Sequence, residues 1–265
     1  MIRVLVVLAS LFATSAMAET MTLAVTTSFH NSGLSDVLLP VIKEDTGLEV
    51  QLLVVGTGQA LRLGQAGDVD AILVHSRAAE EAFVSEGFAP YRREIMYNDF
   101  VIIGPQTDAA DVADAATVAD ALTRIAATNA PFVSRGDESG THKKELSLWR
   151  TAQLDPAAFG DWYKAVGTGM GASLNTASAL DAYILADRAS WLNFANKRTL
   201  ALLFAGDPAL FNQYAYLPIN PARHPHVNTQ AQRTLEDWLA SPRAETLING
   251  YKIDGTALFV FNAAR

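Results

Sequence analysis

Three stretches of this 265-residue chain combine glycine with small hydroxyl residues. They are Thr26-Thr27-Ser28, Gly56-Thr57-Gly58 and the run Ser134-Arg135-Gly136-Asp137-Glu138-Ser139-Gly140-Thr141-His142. Each follows a short apolar run, and each leads toward a helical pattern. Strand ends and helix starts of this kind offer unpaired backbone N–H groups and the positive end of a helix dipole. Glycine lets the backbone form a concave nest of donors. Hydroxyls add donors without charge, and Arg135 adds one fixed positive charge with a fork of N–H groups. Together they describe a pocket for a small oxyanion.

Each piece also has an ordinary reading. Ser or Thr after a strand often caps a helix. Gly56-Thr57-Gly58 also suits a turn, and Arg135 could simply pair with Asp137 or Glu138. What raises the anion reading is their joint occurrence at three strand-to-helix junctions. Catalytic readings fare worse. Ser139 and His142 resemble a nucleophile and a base, but Ser139 sits outside a G-x-S-x-G elbow, and His142 would share its helix face. Gly56-Thr57-Gly58-Gln59-Ala60-Leu61 lacks the third glycine of a dinucleotide fingerprint, and no P-loop lysine follows. His30, His75, His142, His224 and His226 share no metal-ligand spacing, and with no cysteine there are no thiolate sites or disulfides. Neither a resident metal nor a cofactor is expected, and no enzymatic activity. Trp149, Trp162, Trp191 and Trp238 read as packing residues.

The elements that would position these junctions alternate in an α/β manner. Strands are predicted over 23–25, 50–55, 71–74, 100–103, 132–134, 200–204 and 214–219. A helix over 34–44 carries apolar residues at Leu34, Val37, Leu38, Val41 and Ile42, one face of a 3.6-residue period. Further helices are predicted from 60, over 78–86 before Gly87, over an alanine-rich 112–127, and over 140–152, 228–239 and 242–248. No flexible linker separates two halves, so two lobes would be joined by ordered strands. The crossings are expected at 98–105 outward and 214–221 on return. The expected division is 19–100 with 214–265 as one lobe and 101–213 as the other.

Half the residues are hydrophobic and 18% charged, a composition that supplies ample core. The formal charge of -8 argues against a nucleic-acid partner, which needs a basic footprint. Residues 1–18 combine Arg3, an apolar run over 4–12 and Ala16-Met17-Ala18, the pattern of a secretory signal peptide. That run is too short to span a bilayer. Removing it takes Arg3 and moves the charge from -8 to -9. The expected compartment is the periplasm, and the absence of any cysteine speaks against a lipid anchor.

The motifs Thr26-Thr27-Ser28, Ser32-Gly33-Leu34, Gly56-Thr57-Gly58, GDVDAILVH (67–75), MYNDFVIIGP (96–105), SRGDESGTHKKE (134–145) and Gly169-Met170-Gly171 occur in order along the chain. In these the sequence resembles the periplasmic tungstate-binding proteins of ABC-type tungstate transporters. The resemblance implies a two-lobed periplasmic binding protein, type II-like, with a tetrahedral oxyanion in the interlobe cleft. It implies oxyanion contacts at Thr26 or Thr27, Ser28, Thr57, Arg135, Ser139 and Thr141, where the motif residues are kept. The chain departs from the family pattern at Phe29-His30-Asn31, on the outer rim. The implied partners are tungstate or molybdate and an inner-membrane ABC permease with its ATPase, the binding protein itself being a monomer. Alternatives left open are a phosphate-binding protein with Asp137 as acceptor, an oxyanion sensor, and a secreted hydrolase.

Overall fold

The computed structural model describes residues 19–264; the expected signal segment lies outside them. The chain begins with β1 (Thr20–Thr26), α1 (Thr27–Asn31), α2 (Leu34–Thr46), β2 (Glu49–Val55), α3 (Thr57–Ala66), β3 (Ala71–Val74) and α4 (Arg77–Ser85). The long β4 (Arg93–Pro105) follows, then α5 (Val118–Thr128), β5 (Phe132–Ser134), α6 (Gly140–Thr151), β6 (Tyr163–Ala165) and α7 (Met170–Leu180). It continues with β7 (Tyr183–Asp187), α8 (Arg188–Asn193), β8 (Leu200–Phe204) and β9 (Phe211–Pro218). It closes with α9 (Thr229–Leu239), α10 (Pro242–Gly250) and the short strands β10 (Lys252–Ile253), β11 (Thr256–Ala257) and β12 (Val260–Phe261).

The strands run in the order β2-β1-β3-β9-β4-β7-β5-β6, with β8 and β12 also on β4. β1 is parallel to β2 and β3, whereas β9 and β4 form an antiparallel pair. β4 joins the two lobes. Its residues Arg93 to Asp99 pair with β9, and from Phe100 onward it pairs with β7 and β8. The change of partner falls at Asn98-Asp99-Phe100. There the Asn212 amide donates to Asn98 Oδ1 at 2.7 Å, and Arg188 grips both carboxylate oxygens of Asp99.

Alternation along the strands divides each lobe into two apolar layers. In the first lobe, Leu23, Val25, Leu73 and Tyr214 pack under α2 and α9, and Ala24, Ile72, Val74 and Ala215 pack with Ala60 and Phe83 on the other face. In the second, Phe100, Ile102, Phe132 and Leu185 face Trp149, while Val101, Ile103, Val133 and Ile184 face Leu174 and Trp191. Ala71–Val74 and Tyr183–Asp187 are central strands, each parallel to one neighbour and antiparallel to the other and covered on both faces, so every residue in them is buried.

Three expectations need correction. The alanine-rich helix is not continuous over 112–127: a 3-10 turn over Val112–Asp114 precedes α5. Thr117 Oγ1 accepts from the Asp120 N–H and Asp120 accepts from the Ala116 N–H, a reciprocal cap that starts a new helix despite the alanines. The strand expected over 100–103 is the far half of β4, whose near half carries the mixed pattern Arg93-Glu94-Ile95 and lacks a clean period. Residues 163–193 hold β6, α7, β7 and α8, which the sequence reading left without elements. Among the described residues, no helix is long and apolar enough to cross a membrane.

Candidate functional site

The three junctions converge on one cavity. Thr26, Thr27 and Ser28 end β1 and open α1; Gly56 and Thr57 end β2 and open α3; Ser139, Gly140 and Thr141 open α6, with Arg135 just past β5. Every sequence-predicted contact — Thr26, Thr27, Ser28, Thr57, Arg135, Ser139 and Thr141 — lines one small cavity, completed by Gly56, His75 and Gly140. No aspartate or glutamate is among the lining residues. A wider vestibule of about 560 Å³ lies alongside, sharing Thr27, Gly56, Thr57, Arg135 and Ser139 with the cavity and bringing in Asn31, Arg62, Lys143 and Gly169 to Ala172.

The hydroxyls differ in what already occupies them. Thr26 caps α1: its Oγ1 accepts from the Phe29 N–H at 3.3 Å and sits 3.1 Å from Ser28 Oγ. Ser139 caps α6 by accepting from the His142 N–H at 3.2 Å, so its own proton remains to be given. Thr57 and Thr141 are 1% exposed, and neither hydroxyl has a hydrogen-bond partner. Two buried, unpaired hydroxyls on one cavity are costly unless something arrives to receive them. α3 likewise starts at Gly56 without a side-chain cap, as α7 does at Gly169, and both helix starts border the vestibule.

Arg135 is nearly buried, and its guanidinium pairs with Asp137 Oδ2 while Nε donates to the Thr168 carbonyl at 3.4 Å. The other Asp137 oxygen accepts from the Ser139 N–H at 3.2 Å. Asp137 therefore braces the loop and the arginine from the vestibule side. The loop bends through Gly136 and Glu138, both at positive φ, and a Cβ on Gly136 would strike Ala165 at 2.9 Å. His142 turns back into this loop, where Nδ1 accepts from the Glu138 N–H at 3.1 Å. Burial holds the His142 pKa below the usual histidine value.

His75 is absent from the contacts that the sequence predicts, where it figures only among histidines without metal-ligand spacing. It follows β3 directly, so the strand-end rule that selects Thr26 and Gly56 selects it too. Its Nε2 lies 3.0 Å from Ser28 Oγ, and its ring packs on Tyr214 with centroids 4.8 Å apart. Burial brings its pKa down to about 4, with the Arg135 charge acting in the same direction. Gly140 meets it from across the cleft. A Cβ there would stand 2.6 Å from His75 Cε1 and 3.3 Å from Thr57 Oγ1, so the bare backbone of the second lobe seats directly on side chains of the first. At the outer rim, Phe29 of the divergent segment is buried and packs toward Tyr214, and Asn31 faces the vestibule.

Two α/β lobes joined by a shared strand, with a small donor-lined cavity between them, define a two-lobed substrate-binding protein. The chain belongs to the PBP superfamily, whose domain matches residues 13–243, and within it to the family of the tungstate-binding protein TupA. It is 42% identical to TupA of Peptoclostridium acidaminophilum over 92% of this chain and 86% of that one. It is 34% identical to TupA of Campylobacter jejuni over 89% and 88% of the respective chains. The solved structure of the tungstate-binding protein TupA from Desulfovibrio alaskensis superposes with a TM-score of 0.85 at 45% identity, covering 93% of this chain and all of that one.

Proposed function

We propose that this protein captures tungstate reversibly between its lobes and hands it to an ABC permease and its ATPase, working as a monomer in the periplasm. The relatives named for tungstate support the choice of ligand, and the cavity supplies a physical reason. The observation that carries the reading is the donor-only lining, with the Thr57 and Thr141 hydroxyls buried and unpaired beside Arg135. Thr26 or Thr27, Ser28, Thr57, Ser139 and Thr141 would donate to the oxyanion, together with N–H groups at the starts of α3 and α6, while Arg135 offsets part of its charge. Hydrogen bonds to a charged group contribute roughly 1.5–3 kcal/mol each, and a nanomolar Kd needs about 12 kcal/mol net, so such a set suffices after desolvation and closure. Arg62 and Lys143 in the vestibule would draw a dianion toward a chain that is acidic as a whole.

Selectivity follows from the same lining. A fully deprotonated oxyanion offers only acceptors, which suits a wall of donors. Phosphate keeps a proton at neutral pH and needs an acceptor for it. The nearest carboxylate, Asp137, is committed to Arg135 and the Ser139 N–H. Sulfate is smaller and would leave donors at long range, whereas molybdate is close to tungstate in size and competes. The lobes divide as 19–100 with 214–265 and 101–213. The return crossing falls at residues 211–213, which pair with Asp99 to Tyr97, ahead of the expected 214–221, where Ala215 to Pro218 already pair with β3, and closure is a hinge motion about the two crossings.

Calorimetric titration of the mature chain with tungstate, molybdate, sulfate and phosphate tests the proposal. Tungstate and molybdate are expected to bind far more tightly than the other two, and phosphate binding tighter than tungstate overturns it.

A further inference from the structure

We propose that His75 is a positioning residue for the oxyanion: its Nε2–H donates to Ser28 Oγ and thereby turns the single Ser28 proton into the cavity. This rests on the reading of the cavity as an oxyanion site. Ser28 Oγ has three polar neighbours, Thr26 Oγ1 at 3.1 Å, His75 Nε2 at 3.0 Å and Tyr214 OH at 3.4 Å. Left to itself, a serine so placed could give its proton to any of them, including a bare imidazole nitrogen, and nothing would remain for the anion.

The surroundings of the two ring nitrogens of His75 point to the direction. Nε2 has Ser28 in hydrogen-bond range at 3.0 Å, whereas Nδ1 is buried beside the Asn212 side chain without a well-formed hydrogen bond to it. A proton on Nδ1 would be a buried donor without a well-placed acceptor, and buried orphan N–H groups are rare. A proton on Nε2 is paired, and Nδ1 is left only as a bare lone pair. The neutral ring thus carries its proton on the Ser28 side. Ser28 then accepts from His75 and keeps its proton, which an oxyanion in the cavity can take in competition with Thr26 Oγ1 and Tyr214 OH. Its burial keeps the imidazole neutral near pH 7, so the arrangement is not undone by protonation there. The ring is held in plane by Tyr214 and Phe100, and Gly140 closes against its edge.

The experiment is tungstate calorimetry on the wild-type chain and on H75L, H75Q and H75N, with H75L repeated in an S28A background and the apo melting temperature recorded for each. A glutamine amide reaches the Nε2 position and an asparagine amide only the Nδ1 position. H75L is expected to weaken tungstate about tenfold, the effect of one hydrogen bond to a charged group. H75Q should retain near wild-type affinity, H75N should resemble H75L, and H75L should cost nothing further in S28A. Wild-type affinity in H75L, H75Q as weak as H75L, or losses that multiply in the double variant would overturn the proposal. Should H75L fail to fold, the H75Q and H75N pair and the nitrogen-15 shifts of His75 in the tungstate-loaded wild type decide. Protonated Nε2 is expected, and a proton on Nδ1, turned toward the Asn212 amide beside the ring, overturns it. A wild-type chain that ignores tungstate sinks the oxyanion reading itself, which the variant comparisons leave standing.

Discussion

The first-lobe wall of the cavity is largely self-satisfied: Thr26, Ser28, His75 and Tyr214 already bond to one another and to the start of α1, and none of them is charged at neutral pH. The second-lobe wall carries the charge. Arg135 stands there beside its counterion Asp137, on a loop bent through Gly136 and Glu138. Each wall also holds one buried hydroxyl with no partner, Thr57 on the first side and Thr141 on the second. A neutral network of short side chains is cheap to hold in place and can stand ready while the lobes are apart. A buried guanidinium needs a partner at all times, and Asp137 fills that role from the vestibule side without entering the cavity. The two walls thus separate orientation from charge, and in the proposed capture closure brings both onto one ligand.

The largest effect should come from breaking the charged wall. Arg135→Ala is expected to weaken tungstate roughly 100-fold, since it removes a charge-assisted fork of hydrogen bonds. The apo melting temperature should move by only about 2–4 °C, because Asp137 keeps the Ser139 N–H and some solvent. Arg135→Lys, which retains charge but not the fork, should fall between. Calorimetry beside apo melting curves checks this, and an Arg135→Ala protein with unchanged affinity would remove charge from the mechanism.

A smaller effect is expected from the unpaired hydroxyls. Thr57→Val and Thr141→Val each keep the shape of the side chain and should weaken tungstate about tenfold. The same changes should raise apo stability by up to about 1 kcal/mol, because each removes a buried polar group that lacks a partner. Opposite signs in the two measurements would mark these hydroxyls as present for a ligand. A loss of apo stability would mean that they serve the fold.

The smallest effect on binding, and the sharpest contrast between the lobes, concerns pH. Behind the second wall, Glu145 on α6 is buried and accepts from Tyr163 at 2.7 Å and Trp149 at 3.2 Å, and burial nevertheless pushes its pKa from 4.5 up to about 7. The native state then holds a proton that the unfolded state has released, so this contribution is fully present below pH 4.5 and is lost as the pH rises through 7. His75 has the opposite sign: its folded pKa of about 4 lies below its ordinary 6.5, so its contribution is present above 6.5 and is lost as the pH falls through 4. Urea unfolding of Glu145→Gln should therefore show a gain over wild type that is larger at pH 8 than at pH 5, by up to about 3 kcal/mol. Tungstate affinity should stay within about twofold, since Glu145 is absent from the cavity lining. An equal difference between variant and wild type at both pH values would show that this carboxyl ionises as freely as in water.

Much of this architecture could be read from residue order. The periodicity of Leu34, Leu38 and Ile42 gives α2, and Gly47 ends it in the left-handed conformation. Ala71–Val74, Phe132–Ser134 and Leu200–Phe204 are strands at the predicted limits. The junction residues were legible because glycine and hydroxyls at strand ends have few other reasons to cluster. His75 stands at the same kind of strand end, but its part there is silent in the sequence until Ser28 and Tyr214 are known to meet it. Tyr183–Asp187 and α7 were missed because the strand lies between two helices with no glycine or proline to bound it, and α7 starts at Gly169 without a side-chain cap.

By itself, the sequence determined the local pieces: which segments become strands and helices, where helices begin, and which short polar side chains stand at those beginnings. These depend on periodicity, caps and backbone freedom, all settled within a few residues. Only the tertiary structure decided which donors are spent and which are free. Ser28 meets His75 across 47 positions and Tyr214 across 186, and Gly140 meets His75 and Thr57 only because β4 carries the chain from one lobe to the other. Such meetings are fixed by strand order and lobe closure, long-range pairings that no local pattern encodes.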